Sequence, residues 1–124
     1  MELWITNGTK KTLTGLRVQN CVMLREAKGF AELTKENKIF QSPYVACQSA
    51  DSAQRWIITA WENCAHDWAN ALCPCMHSDP QFPDCAPDET QRLRGWLSFY
   101  EGGNINDEFR RIESTGWRKK RSSE

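Results

Sequence analysis

The chain has no excess of charge of either sign: sixteen Lys and Arg face sixteen Asp and Glu across 124 residues, for a formal net charge of zero. Without a net field there is no long-range pull toward nucleic acid or an anionic membrane surface, so neither is expected as a partner. Long apolar runs are also missing. The richest stretch, Trp56 to Trp61, falls far short of the ~18–20 residues that a membrane-spanning helix needs. The sequence contains no glycine-rich phosphate loop, dinucleotide fingerprint or nucleophile elbow, which leaves ATP, NAD and acyl-transfer chemistry without support. Met1-Glu2-Leu3 does not open the basic and then apolar run of a secretion signal. A cytoplasmic location with reduced thiols is expected for the chain as written, and an exported one if it belongs to a longer precursor.

What is plentiful is tryptophan and cysteine, six of each. The length suits one domain, and 40% hydrophobic content can fill one core. Leu3-Trp4-Ile5-Thr6 reads as a strand, and Asn7-Gly8 after it is the dipeptide best suited to a tight hairpin turn. From Leu13 to Leu24, Leu16, Val18, Val22 and Leu24 share one face at period two, while Arg17, Gln19, Cys21 and Met23 share the other, which predicts a long strand interrupted at Asn20. A further strand is expected from Tyr44, after Pro43. Arg55 to Glu62 is apolar on both faces and predicts a central strand. Gln91 to Tyr100 predicts another, with Leu93, Leu97 and Phe99 inward. Asn104 or Asn106 can cap a closing helix, residues 105–117, with Ile105, Phe109 and Ile112 on one face and Trp117 anchoring its end. Between 63 and 90 four prolines argue for one long ordered loop holding Cys64, Cys73, Cys75, Cys85, His66 and His77.

The expected architecture is therefore all-β: an antiparallel β-sandwich over residues 1–117, with a Cys/Pro-rich loop at 63–90, a short C-terminal helix and a basic tail at 118–124. The cysteine loop is the first candidate site. Thiolates and imidazoles are the usual ligands of tetrahedral zinc, and Cys64, Cys73, Cys75 and His77, with Cys85 in reserve, could supply four. The single residue between Cys73 and Cys75 is shorter than the usual zinc knuckle. Disulfides linking Cys64 to Cys73 or Cys75, and Cys85 to another of the cluster, would brace the same loop, and free buried thiols are the third possibility.

Carboxylates beside aromatic residues form the second constellation. Glu62 follows Trp61, Asp67 precedes Trp68, and Glu101 follows Tyr100. Indole faces stack on pyranose C–H surfaces, and paired carboxyls perform glycoside hydrolysis. Glu62 and Glu101 are the expected acid/base pair, with Asp67 in reserve and Trp68, Trp96, Tyr100 and His77 contacting sugar. A separation near ~5 Å would imply retention and ~6.5–9.5 Å inversion.

The opening Trp4-Ile5-Thr6-Asn7-Gly8-Thr9 with Leu13-Thr14-Gly15-Leu16, and the later Pro87-Asp88-Glu89-Thr90 leading into Gly95-Trp96-Leu97-Ser98-Phe99-Tyr100-Glu101-Gly102, resemble one lobe of a bacterial galactose-mutarotase-like super-sandwich protein. Asp88 stands where that pattern has glycine, and the cysteine loop has no counterpart in it. The resemblance covers about a third of the chain. It implies a sugar or polysaccharide ligand, no cofactor, and a lobe that covers its open sheet edge by homo-oligomer formation. The alternative class is a non-catalytic interaction module braced by structural zinc or disulfides.

Overall fold

The computed structural model describes residues 1–119. It is an all-β chain with a short C-terminal helix. Its strands are β1 (Glu2–Thr6), β2 (Cys21–Met23), β3 (Lys38–Gln41), β4 (Tyr44–Gln48), β5 (Arg55–Trp61), β6 (Cys64–Asn70), β7 (Cys75–Pro80) and β8 (Thr90–Glu101), followed by α1 (Ile105–Ser114). Among the described residues they form two antiparallel sheets, one of five strands ordered β1-β8-β5-β4-β3 and one of three ordered β2-β7-β6.

β5 lies at the centre of the larger sheet because its sequence suits burial on both sides. Trp56, Ile58 and Ala60 point to one face and Ile57 and Trp61 to the other, all buried. On the first face they meet Tyr44 and Ala46 of β4 and Ile105, Phe109 and Ile112 of α1. Asn104 caps the helix, its side-chain oxygen accepting the Asp107 N–H at 3.2 Å, and Asp107 and Glu108 place negative charge at the positive end of its dipole. Phe109 stacks on Tyr44 with centroids 5.0 Å apart. Burying Phe109 and Ile112 contributes about 1.5–3 kcal/mol each. The helix stops at Ser114, short of the expected 117: Thr115 and Gly116 turn the chain, and Trp117 packs from beyond the helix end against Trp96 and Tyr44.

On the other face of the larger sheet, Val45, Cys47 and Ile57 share a core with Met76 of the smaller sheet, joined by Leu24 and Phe30. A third cluster, Trp61, Phe82 and Leu93, gathers Leu3, Ile5, Leu16 and Val18. Leu16, Val18, Val22 and Leu24 thus face inward as their period predicts. The long strand expected there does not form, however. Only Cys21–Met23 is a strand, preceded by the isolated bridges Leu13↔Cys85 and Arg17↔Gln81, because Gly15 has positive φ and the Asn20 N–H is diverted to Asp79 Oδ1 at 2.7 Å.

Three further expectations are corrected. Asn7-Gly8 makes no hairpin, because β1 pairs with β8 instead. Asn7 is fully buried, donating to the Lys11 and Cys85 carbonyls at 2.8 Å each and accepting from Thr9. The segment 63–90 is not one long loop. It holds the β6–β7 hairpin, and its prolines fall in the Cys73-Pro74-Cys75 turn, at the last residue of β7 and beyond it. β8 keeps its alternation but not its burial: Leu93 is buried, Leu97 and Phe99 on the same face are 49% and 78% exposed, and Trp96 and Tyr100, expected outward, pack on the helix-side core. The cause is the hand-over of β8 from β1 to β5 at Arg94 and Gly95. Leu93 lies before that point under Trp61 and Phe82, whereas past it the packing over Ile57 on the same face leaves Leu97 and Phe99 exposed. Of the expected basic tail, Arg118 and Lys119 are described and residues 120–124 lie outside the described residues.

Candidate metal centre

In the three-stranded sheet, Cys21 of β2 sits opposite His77 of β7, Met23 opposite Cys75, and Trp68 of β6 opposite His77 on the other side. Strand alternation sends Met76 and Ser78 into the protein, where both are fully buried, and Cys75, His77 and Asp79 to the outer face. An outer face is ordinarily solvated. Here Cys75 and His77 are each only 3% exposed. The cover over His77 is aromatic: the Trp68 indole stacks on its imidazole at 3.9 Å between centroids and 11° between planes, and His66 stacks on Trp68 at 5.7 Å. Cys75 lies under a short turn in which its own N–H donates to the Cys73 carbonyl at 2.8 Å, and Leu24 N–H anchors that turn through the Pro74 carbonyl at 2.7 Å.

The ligand atoms of Cys21, Cys75 and His77 all lie within 4.8 Å of one another. Burial pushes the Cys21 thiol above its ordinary pKa, opposed by a hydrogen bond with Cys75 and reinforced by nearby Cys73. The Cys73 thiol is raised by desolvation and then by its contact with Cys75. Burial lowers the His77 pKa against the opposing pull of Asp79, which favours the neutral imidazole. That imidazole is incompletely satisfied: among the described residues the buried Nδ1 has no hydrogen-bond partner within good geometry, and Asp79 Oδ1 stands 3.5 Å away. Asp79 is itself held by the Asn20 N–H at 2.7 Å and by Trp68 Nε1–H at 2.6 Å. A carboxylate beside one nitrogen of a histidine is the usual way to orient the other nitrogen toward a metal. Three protein ligands with a fourth position open, or with Cys73 moving in to fill it, match the donor chemistry of a thiophilic ion.

The expected ligand set was Cys64, Cys73, Cys75 and His77. Cys75 and His77 belong to the group and Cys73 adjoins it, but Cys64 does not. Cys64 pairs with Pro80 and Cys75 with Asn70, at opposite ends of the β6–β7 hairpin. Five residues of strand at ~3.3 Å each put about 16 Å between those ends, which also exceeds the ~7 Å limit for a disulfide between Cys64 and Cys75. All six cysteines are free, and Cys85 is buried elsewhere, its thiol directed at the Glu89 carbonyl at 3.2 Å. Cys21 was not among the expected ligands, although its place on the face shared with Met23 was legible from period two.

The carboxylates are not brought together. Arg55 is the register partner of Glu101, whereas Glu62 follows Trp61 at the other end of β5, about 23 Å away at the ~3.3 Å rise of a strand. Glu62 is occupied, accepting the Arg94 N–H at 2.6 Å. Asp67 pairs with Ser78 and faces the opposite side of its sheet from Trp68. Trp96 Nε1–H donates to Ser98 Oγ at 2.8 Å, and Trp96 and Tyr100 lie on the helix side of the larger sheet, remote from Trp68 and His77. A groove beside Trp68 is lined by Arg17, Gln19, His66 and Asp79. No protein-family model, no curated protein and no solved structure matches this chain, so the reading of the site rests on its geometry.

Proposed function

We propose that the chain is a metal-braced β domain in which Cys21, Cys75 and His77 hold one thiophilic ion on the outer face of the smaller sheet. The observation that carries this reading is the convergence of three ligand atoms within 4.8 Å, two of them on buried residues. β2 has only three residues, a marginal length for an edge strand, and an ion shared by Cys21 and its two neighbours on β7 would clamp it in register. The test is a titration of the reduced chain with cobalt(II), which reports thiolate ligation by charge-transfer absorption. One equivalent is expected to bind and to raise the unfolding midpoint, with Cys21→Ser abolishing both effects and Cys64→Ser leaving both intact. A Cys64→Ser loss equal to that of Cys21→Ser refutes the assignment.

A second reading, carbohydrate binding without the paired carboxylates, is favoured by the groove beside Trp68, where an indole lies among the polar side chains of Arg17, Gln19 and Asp79. A glycan array compared with its Trp68→Ala counterpart tests it. Binding that survives the substitution places the sugar elsewhere.

A further inference from the structure

The sulfur atoms extend beyond the three ligands. Cys73 Sγ lies 3.9 Å from Met23 Sδ, and Met23 is the register partner of Cys75. From solvent inward the outer face therefore offers Met23, 53% exposed, then half-buried Cys73, then buried Cys75, with Cys21 and His77 alongside. Met23 is absent from the packed clusters, so core packing does not account for a methionine at this position. A thioether is uncharged and soft. It adds little to a borderline ion such as zinc(II), but with thiolates it is a preferred ligand of copper(I). The Cys73-Pro74-Cys75 turn points the same way. Pinned through the Cys73 and Pro74 carbonyls, it leaves one residue between the thiols, closer than the spacing that closed tetrahedral zinc sites employ.

We infer that this site, whose metal reading is presupposed, is built for a soft monovalent ion of the copper(I) class, with Met23 and Cys73 as the outer ligands through which it reaches Cys75. Binding involves no change of oxidation state: the ion arrives as copper(I), and the thiols that ligate it release their protons to solvent.

Silver(I), a redox-inert counterpart of copper(I), and zinc(II) serve as probes. Each is titrated against a competing chelator into the fully reduced chain carrying Cys64→Ser, which removes a half-exposed thiol outside the group, and into the same chain with Met23→Leu. Leucine keeps the bulk of methionine and removes only the sulfur. Met23→Leu is expected to weaken silver(I) at least about tenfold, the lower end of what a supporting ligand contributes, and to leave zinc(II) unchanged. Cys73→Ser is expected to weaken silver(I) as well. If zinc(II) binds stoichiometrically but Met23→Leu alters both ions equally or neither, the soft-ion preference is overturned and the metal centre stands. If neither ion binds one to one, the metal centre itself falls.

Discussion

Replacing Ser78 by alanine tests how the two sheets are joined. Ser78 is fully buried on the inner face of β7, and its hydroxyl serves two backbone groups of the larger sheet and its β3–β4 turn: Oγ accepts the Trp61 N–H at 3.0 Å and donates to the Pro43 carbonyl at 2.8 Å. Alanine loses a single oxygen, too small a volume for a water to enter and replace it, since a water needs at least ~10–15 Å³ of accessible space. One buried N–H and one buried carbonyl are left without their partner. At about 1–3 kcal/mol for each orphan, less what local relaxation recovers, the expected loss is about 2–4 kcal/mol. Against a typical total of about 5–15 kcal/mol this is a large fraction. Urea denaturation followed by tryptophan fluorescence should show the midpoint falling with unchanged slope, because the surface exposed on unfolding is the same. Ser114→Ala, at an exposed position in the last turn of α1, is the control and should stay within about 0.5 kcal/mol of the parent. A Ser78→Ala effect no larger than the control would refute the reasoning, because it would mean that the Trp61 and Pro43 backbone groups do not depend on this hydroxyl.

Gly95→Ala should destabilise by about 1–3 kcal/mol in the same assay, since a Cβ there would lie 2.6 Å from the Trp61 indole, which covers this glycine; an unchanged midpoint would show that the ring moves aside freely. Burial, and then the hydrogen bond to Glu113, raise the Tyr44 phenol above its ordinary pKa near ~10, so above that pH the unfolded chain loses a proton that the folded chain keeps. The Tyr44 contribution is complete below pH ~10, and above it stability should fall by up to about 1.4 kcal/mol per pH unit, a slope that Tyr44→Phe removes in pH-dependent urea titrations. The edge of β8 past Gly95, unpaired on the β1 side among the described residues and bearing exposed Leu97 and Phe99, should support concentration-dependent self-association in sedimentation velocity. Phe99→Lys should weaken it, and a parent chain that sediments as a monomer at all concentrations counts against the expectation.

The strands with one clear requirement were legible in the sequence. β5 is apolar on both faces and can only be central, and Ile105, Phe109 and Ile112 mark one stripe of a capped helix. Where the sequence misled, a side chain had redirected the backbone. Asn7 spends its amide on the Lys11 and Cys85 carbonyls, so the Asn-Gly dipeptide lies in a loop braced by that side chain instead of in a hairpin turn. In the 63–90 segment, prolines discouraged strands, yet Pro74 lies in a turn and Pro80 is the last residue of β7, where it needs only its carbonyl, which accepts the Val18 N–H at 3.0 Å. The site was half legible: Cys73, Cys75 and His77 are close in sequence, but Cys21 joins them only through β2–β7 pairing, a contact across more than fifty residues that periodicity cannot specify. Glu62 and Glu101 looked paired because both end strands, but antiparallel pairing sets those ends apart.

The two sheets cover their faces by different means, and the difference bears on what the smaller one does. α1 closes the larger sheet with Ile105, Phe109 and Ile112, side chains that need nothing further once buried. The smaller sheet covers its outer face with Trp68 stacked on His77, and beneath that cover it places an imidazole with an unpartnered nitrogen beside two thiols. Val or Ile at positions 75 and 77 would fill the same space without an orphaned polar atom, whose burial costs about 1–3 kcal/mol. Fold stability alone gives no reason for this choice. A single cation would supply one: it would engage His77 through one nitrogen, strengthen the pull of Asp79 on the other, and compensate the charge of the Cys21 and Cys75 thiolates together. The cost of burying His77 is then the cost of keeping a binding site in shape.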